Sequence, residues 1–197
     1  MTQEITITLP DGSQKQAQSG VTGAEIAGMI GAGLAKAAIA FEVNGEQRDL
    51  SDTVLKDSHI SIFTVDSDEG LEIMRHTVAA QVLARAIKNL YPDAKLAIGP
   101  TIDDGFYYDF LSNKTVSIDD LPKIEKEMEK IVASKQSINK TIHSKEDAIK
   151  GFADLDESYK VKIIEDSDQE SDFKYTTKAT VGLLIFAGAL IYPVWIK

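Results

Sequence analysis

Cysteine is missing from all 197 residues. Its absence excludes disulfides and thiolate metal sites, and it fits a reducing compartment. Histidine is scarce, with only His59, His76 and His143. Basic residues number 21 against 31 acidic ones, a formal net charge of −10. That balance argues against a chain that grips nucleic acid through its overall field, so an RNA contact would need a local patch or another region. The opening "MTQEITITLPDG" has no basic segment followed by an apolar one, so no signal peptide is visible. Repeats and low-complexity tracts are absent too. One further lack is local: residues 179–196, inside "ATVGLLIFAGALIYPVWIK", carry no charge at all.

What is present reads as α+β. Ile5, Ile7 and Leu9 alternate with Thr6 and Thr8, the pattern of a half-buried strand, and Asp11-Gly12 marks a hairpin turn. Thr22 followed by Glu25 has capping-box spacing for a helix that Gly31 and Gly33 end. "AAIAFEVNGEQRDL" predicts a strand, an Asn44-Gly45 turn and a second strand, and "HISIFTV" alternates again. Strand, hairpin, helix and more strands suggest a small β-grasp domain, with a generic α+β module as the plainer reading. "DSDEG" (residues 66–70) looks like the domain boundary.

A long helix is expected over residues 71–91, with Leu71, Met74, Val78, Val82, Ala86 and Leu90 as its apolar stripe and Pro92 as its stop. "KLAIGP" and "GFYYDF" read as strands joined at "DDG". "SIDDLPKIEKEMEKIVASK" predicts an amphipathic helix capped by Ser117, burying Leu121, Ile124, Met128 and Ile131. "INKTIHS" reads as a strand, "KEDAIKGFA" as a short helix and "SYKVKIIED" as another strand. No complete active site emerges from these residues. His59 reads as a surface residue, His143 as part of a short strand, and a lone helical histidine such as His76 is more often structural than catalytic.

Several stretches in order resemble the N-terminal region of bacterial threonyl-tRNA synthetase: "ITLPDGSQKQ", "GLAKAAIAFEVNGE", "DEGLEIMRHTVA", "YPDAKLAIGPTIDDGFYYDF" and "ESYKVKIIED". The resemblance runs over about residues 5–166. It implies a ubiquitin-like TGS β-grasp domain at residues 1–66 and an editing domain at 67–174 that is incomplete. In that family the editing domain hydrolyses serine mischarged on threonine tRNA. The need is physical, because one methyl supplies only about 1–3 kcal/mol of discrimination. The family's aminoacylation and anticodon-binding domains come later, so this chain is expected to make no aminoacyl-adenylate. The full-length family uses ATP, Mg and a catalytic-domain Zn, and none is expected in this chain. The implied partner is threonine tRNA and the implied location is cytoplasmic.

The family's editing pocket uses a His-x-x-x-His pair on the long helix, a later Cys-x-x-x-His pair, and a lysine in the "SYKV" segment. His76 matches the first histidine and Lys160 the lysine. The family pattern "HTVAHVLARA" stands here as "HTVAAQVLARA", so Ala80-Gln81 replace one histidine. On an ideal α-helix Gln81 is turned by about 140° from His76. The Cys-x-x-x-His pair is absent, so His76 and Lys160 are remnants of a site.

The charge-free tail has a reading of its own. Residues 184–193, "LIFAGALIYP", can be encoded as CTG ATC TTT GCC GGG GCC CTC ATT TAC CCN. The same string from its third base reads Asp-Leu-Cys-Arg-Gly-Pro-His-Leu-Pro, the segment that the resemblance places after "IIED". Residues 175–197 are therefore expected to be that segment out of frame. A tail anchor is the alternative: 18 uncharged residues sit at the short limit for a span, flanked by Lys178 and Lys197 with Tyr192 and Trp195 near one end. A buried terminal element is the third option, which Pro193 weakens as a helix. A non-catalytic module that binds the tRNA acceptor end, or a regulatory one, is the other class of function.

Overall fold

In the computed structural model, residues 3–136, 140–167, 173–176 and 183–185 are described. By their contacts the residues form two compact units, Met1–Met74 and Arg75–Lys197.

The alternation at the start builds β1 (Glu4–Thr8), with Ile5 and Ile7 fully buried. Gly12, at φ 81, turns the chain back into β2 (Gln14–Gln18), which pairs antiparallel with β1. Only a residue without a Cβ takes that φ freely. A short pair, β3 (Val21–Thr22) with β6 (Thr53–Val54), flanks the helix α1 (Gly23–Ile30). The capping box forms as expected: Thr22 Oγ1 accepts from Glu25 N at 3.3 Å, and Glu25 Oε2 accepts from Thr22 N at 2.8 Å. The Thr22 bonds hold the Glu25 carboxyl below its ordinary range.

Gly31 ends α1, but Gly33 does not stop the chain. A second short helix, α2 (Ala32–Ala37), contains Gly33, a difference from the helix stop expected there. The alanines around Gly33 have high helix propensity and carry the turn across it. Then follow β4 (Ala38–Val43), β5 (Glu46–Arg48) and β7 (Ser58–Thr64). Asn44 at φ 52 and Gly45 at φ 87 make the β4–β5 turn, both left-handed as a type I′ hairpin requires.

The five-stranded sheet has the order β2-β1-β7-β4-β5, with β1 and β7 parallel at its centre. Its core joins Ile5, Ile7, Ile26, Phe41, Val43 and Ile60. Two hairpins, a helix laid across one face and first and last strands side by side are the β-grasp arrangement. His59 is exposed on β7, as expected.

From residue 68 the chain forms a helical run that differs from the uniform helix expected and continues into the second unit. It comprises α3 (Asp68–Thr77), a π-helical turn over Val78–Leu83, and α4 (Ala84–Leu90). It begins three residues early because Ser67 Oγ accepts from Gly70 N at 3.1 Å and caps it. The buried face also departs from the expected stripe: Ile73, Thr77, Ala79 and Ala80 are buried with Val82 and Ala86, while Leu71 is exposed.

Beyond it, β8 (Lys95–Leu96) pairs antiparallel with β11 (Phe110–Leu111), and β9 (Thr101–Ile102) with β10 (Gly105–Phe106). Ser117 caps a 3-10 turn, Ile118–Asp120, that leads into α5 (Leu121–Ala133). Ile124 of α5 joins Ala84, Ala86, Ile87, Tyr91 and Leu96 in one core, with Met128 and Ile131 packed against it. Leu121, expected on that face, is 49% exposed at the helix start. β12 (Lys140–His143) precedes α6 (Lys145–Asp154).

The segment "SYKVKIIED" is a helix, α7 (Ser158–Glu165), and not the strand expected. Its buried positions are Lys160 and Ile164, four apart, with Glu157 buried just before them. That is helical spacing. Ile164 packs with Ala148 and Phe152 of α6. β13 (Phe173–Thr176) lies between β12 and β14 (Leu183–Ile185) in a three-stranded sheet. Apart from the backbone of Leu183–Ile185, the charge-free tail lies outside the described residues, so its expected character as an anchor or an out-of-frame segment is untouched by the fold. No helix among the described residues is long and apolar enough to cross a membrane.

Candidate functional site

His76 and Lys160 both belong to the second unit, on α3 and α7. Lys160, on the first turn of α7, is 5% exposed. Its ammonium donates to the Ala97 carbonyl at 2.5 Å and to the Tyr108 hydroxyl at 3.4 Å, and it lies 5.7 Å from the Tyr108 ring centre. Burial pushes the Lys160 ammonium down to about 8, against the opposing pull of the Glu157 charge. A lysine so placed is a hydrogen-bond donor that also releases its proton near neutral pH.

His76 sits on the last turn of α3. Its Nδ1 is buried and has no hydrogen-bond partner. Burial lowers its pKa first, and the Lys160 charge lowers it further. The ring is therefore neutral at neutral pH, with one buried nitrogen unused, and close enough to feel Lys160. His76 and Lys160, the two residues singled out in the sequence, share one neighbourhood. His59 and His143 do not belong to it: His143 is on β12, where its Nε2 lies 3.0 Å from Thr141 Oγ1.

Three further residues complete the site. Tyr108 stays protonated, because burial and then the Glu157 charge raise its pKa. A Cβ on Gly99 would stand 2.2 Å from the Tyr108 ring, so only glycine there leaves the ring its place. Glu157, 3% exposed, pairs with Lys88 of α4 at 2.7 Å and accepts from Leu96 N at 3.1 Å. The sequence reading missed all three. Tyr108 lay in a segment read only as strand, and Glu157 directly precedes the "SYKV" that drew attention to Lys160. The arrangement offers a cation, a phenol hydroxyl and a neutral imidazole, which can bind and orient a polar or anionic terminus. No group of three or more His, Cys, Asp or Glu that could hold a metal occurs among the described residues.

The π turn lies between His76 and the rest of the helical run. Ala84 N bonds to Ala79 O, five residues back, so this turn takes up one more residue than an α turn. It falls where Ala80-Gln81 stand for one residue of the resembled pattern. The 140° offset expected for Gln81 assumes an α-helix, and it does not hold through this wider turn. Ala80 is buried and Gln81 half-buried. Deleting Gln81 should then restore an α turn and leave α4 in register with α5, changing unfolding free energy by less than about 1 kcal/mol. Deleting Ala86 inside α4 should turn the rest of the helix by about 100°, pull Ile87 from the core and cost about 3 kcal/mol or more. Urea denaturation followed by circular dichroism compares the two; equal losses would contradict the insertion account.

Comparison with known proteins bears on the whole chain. Residues 5–64 match the family model described as the TGS domain. The chain is 47% identical to a threonine–tRNA ligase of Acetivibrio thermocellus over 162 residues, 82% of this chain and 25% of that protein. It is 46% identical to the threonine–tRNA ligase of Thiobacillus denitrificans over 162 residues, again 82% and 25%. For that of Chelativorans sp. the identity is 42% over 174 residues, 88% of this chain and 26% of the relative. The chain thus spans about a quarter of the length of the curated relatives it matches. With its TGS domain and 42–47% identity over most of its length, the chain matches the N-terminal part of the threonine–tRNA ligases.

Proposed function

We propose that the chain is the TGS-plus-editing portion of a threonine–tRNA ligase, working in the cytoplasm. On this reading residues 1–66 are the TGS domain, 67–174 an incomplete editing domain, and 175–197 an apolar segment read out of frame. The second unit receives the aminoacylated 3′ end of threonine tRNA. Lys160 and Tyr108 donate hydrogen bonds to it, and His76 uses its free nitrogen toward the aminoacyl group or a water. What supports the reading is a buried Lys160 ammonium bonded to the Ala97 carbonyl and the Tyr108 hydroxyl, with His76, its buried Nδ1 unpartnered, near enough to feel the Lys160 charge.

Hydrolysis is expected to be slight. Positioned acid–base groups typically contribute about 10²–10⁴-fold each, and a cluster built from His76 and Lys160 alone lacks the second histidine and the cysteine–histidine pair of the resembled pocket. The chain as it stands binds the acceptor end more than it edits. Seryl-tRNA specific for threonine tests both halves. It is expected to be held through Lys160 and His76 and deacylated near the rate of the uncatalysed reaction. Fast turnover that vanishes in His76→Ala would show the pocket to be complete.

A further inference from the structure

Glu157 is a buried carboxylate that the reading above does not use, and its surroundings are built around it. Asp156, just before it, holds φ 56, a left-handed conformation uncommon for a residue with a side chain. Lys95 bonds both the carbonyl and the carboxylate of Asp156, fixing this corner. The corner directs Glu157 inward as the residue at the N-terminus of α7. Both its oxygens are used, Oε1 by Lys88 and Oε2 by Leu96 N.

Glu157 and Lys160 lie three apart, one turn of helix, and they grip consecutive residues, the last of β8 and the one after it. Glu157 accepts from Leu96 N, and Lys160 donates to Ala97 O. That segment is tied to the one bearing Tyr108: Ala97 N donates to Asp109 O at 2.9 Å, and Asp109 N to Ile98 O at 2.8 Å. One turn of α7 therefore sets the strand, the phenol and the ammonium together. We infer that Glu157 is a positioning residue of this site: its carboxylate, one helical turn before Lys160, fixes through the Leu96–Ala97 backbone the donors that Lys160 and Tyr108 present to a ligand.

Among the described residues, few groups act on Lys160. From α3 comes His76, neutral through burial; from the segment between β10 and β11 comes Tyr108, protonated; from the start of α7 comes Glu157. Lys88 of α4 acts on it through Glu157, with which it pairs at 2.7 Å. Removing the carboxylate charge therefore leaves Lys160 with desolvation and no compensating anion, and its ammonium is lost at lower pH. Removing Lys88 frees Glu157 to favour Lys160, with the opposite sign.

The test is a titration of the Lys160 side chain by carbon-13 NMR at Cε, assigned against Lys160→Arg. In the full chain, Glu157→Gln, which keeps an oxygen for Leu96 N, is expected to move the Lys160 midpoint down by at least one pH unit. Lys88→Met is expected to move it up by at least half a unit. An unmoved midpoint in Glu157→Gln overturns the inference, and so does a downward shift in Lys88→Met, which is readable even where the glutamine variant does not fold. The inference rests on the tRNA reading only for the identity of the ligand. Midpoints that shift as expected in a protein that ignores seryl-tRNA would sink that reading and leave the role of Glu157 standing.

Discussion

Replacing Lys160 by methionine stabilises the second unit at pH 7, by about 1–3 kcal/mol. The native ammonium is lowered from 10.5 to about 8 by burial, and a group that binds its proton less tightly when folded opposes folding wherever the unfolded chain is protonated. The whole penalty, roughly 3 kcal/mol for a shift of that size, is present below pH 8. It fades as pH rises toward 10.5, where the unfolded lysine also loses its proton. Stability of the native protein thus climbs with pH between about 8 and 10.5, and that of Lys160→Met does not climb with it. The lost bond to the Ala97 carbonyl offsets part of the gain, by about 1 kcal/mol. Urea denaturation at pH 7 and pH 10.5 reads both numbers. A variant less stable than the native protein at pH 7 would mean that the hydrogen bonds of Lys160 outweigh its burial. A stabilising loss of a polar residue is the mark of a group kept for binding and not for folding.

Gly70→Ala destabilises the first unit by about 3–5 kcal/mol, in the range of severe packing conflicts. A Cβ at Gly70 would stand 1.8 Å from the Thr64 carbonyl oxygen and 3.1 Å from Ile39 Cδ1. The oxygen belongs to the backbone and cannot swing aside. It is also in use, accepting from Ser67 N at 3.1 Å and Ser67 Oγ at 3.2 Å in the turn that leads from β7 into α3. The added methyl must therefore break that turn or push the start of α3 off β7. Gly33→Ala is the contrasting case: its Cβ meets nothing within 4 Å inside α2, and helix propensity favours alanine by about 0.5–1 kcal/mol. Thermal denaturation of the two variants should give shifts of opposite sign. A Gly70→Ala protein as stable as the native one would contradict the close approach of α3 to β7.

Local chemistry explains what was legible beforehand. In the first unit, alternation, two hairpin turns with left-handed glycines and a capping box all point the same way, and the β-grasp sheet follows from them. In "SYKVKIIE" the apolar residues satisfy periods of both two and 3.6. Packing on α6 decides for the helix, and nothing inside the segment announces it. The π turn was foreshadowed only by the extra residue at Ala80-Gln81, because no periodicity marks one wide turn within a helical run. His76 and Lys160 stood out by resemblance. Tyr108, Gly99 and Glu157 became visible only when the fold brought β8, β11 and α7 together, since their roles depend on partners far along the chain.

Binding of an acceptor-stem minihelix of threonine tRNA, carrying serine in a non-hydrolysable amide at its 3′ end, tests the central claim most directly. The purified chain is expected to hold the seryl minihelix at least tenfold more tightly than the uncharged one. Lys160→Met, folded and by the argument above more stable, is expected to lose that preference. Equal affinity for the charged and uncharged ends, or a preference untouched by Lys160→Met, would contradict the assignment of this cluster as the seat of the aminoacyl end.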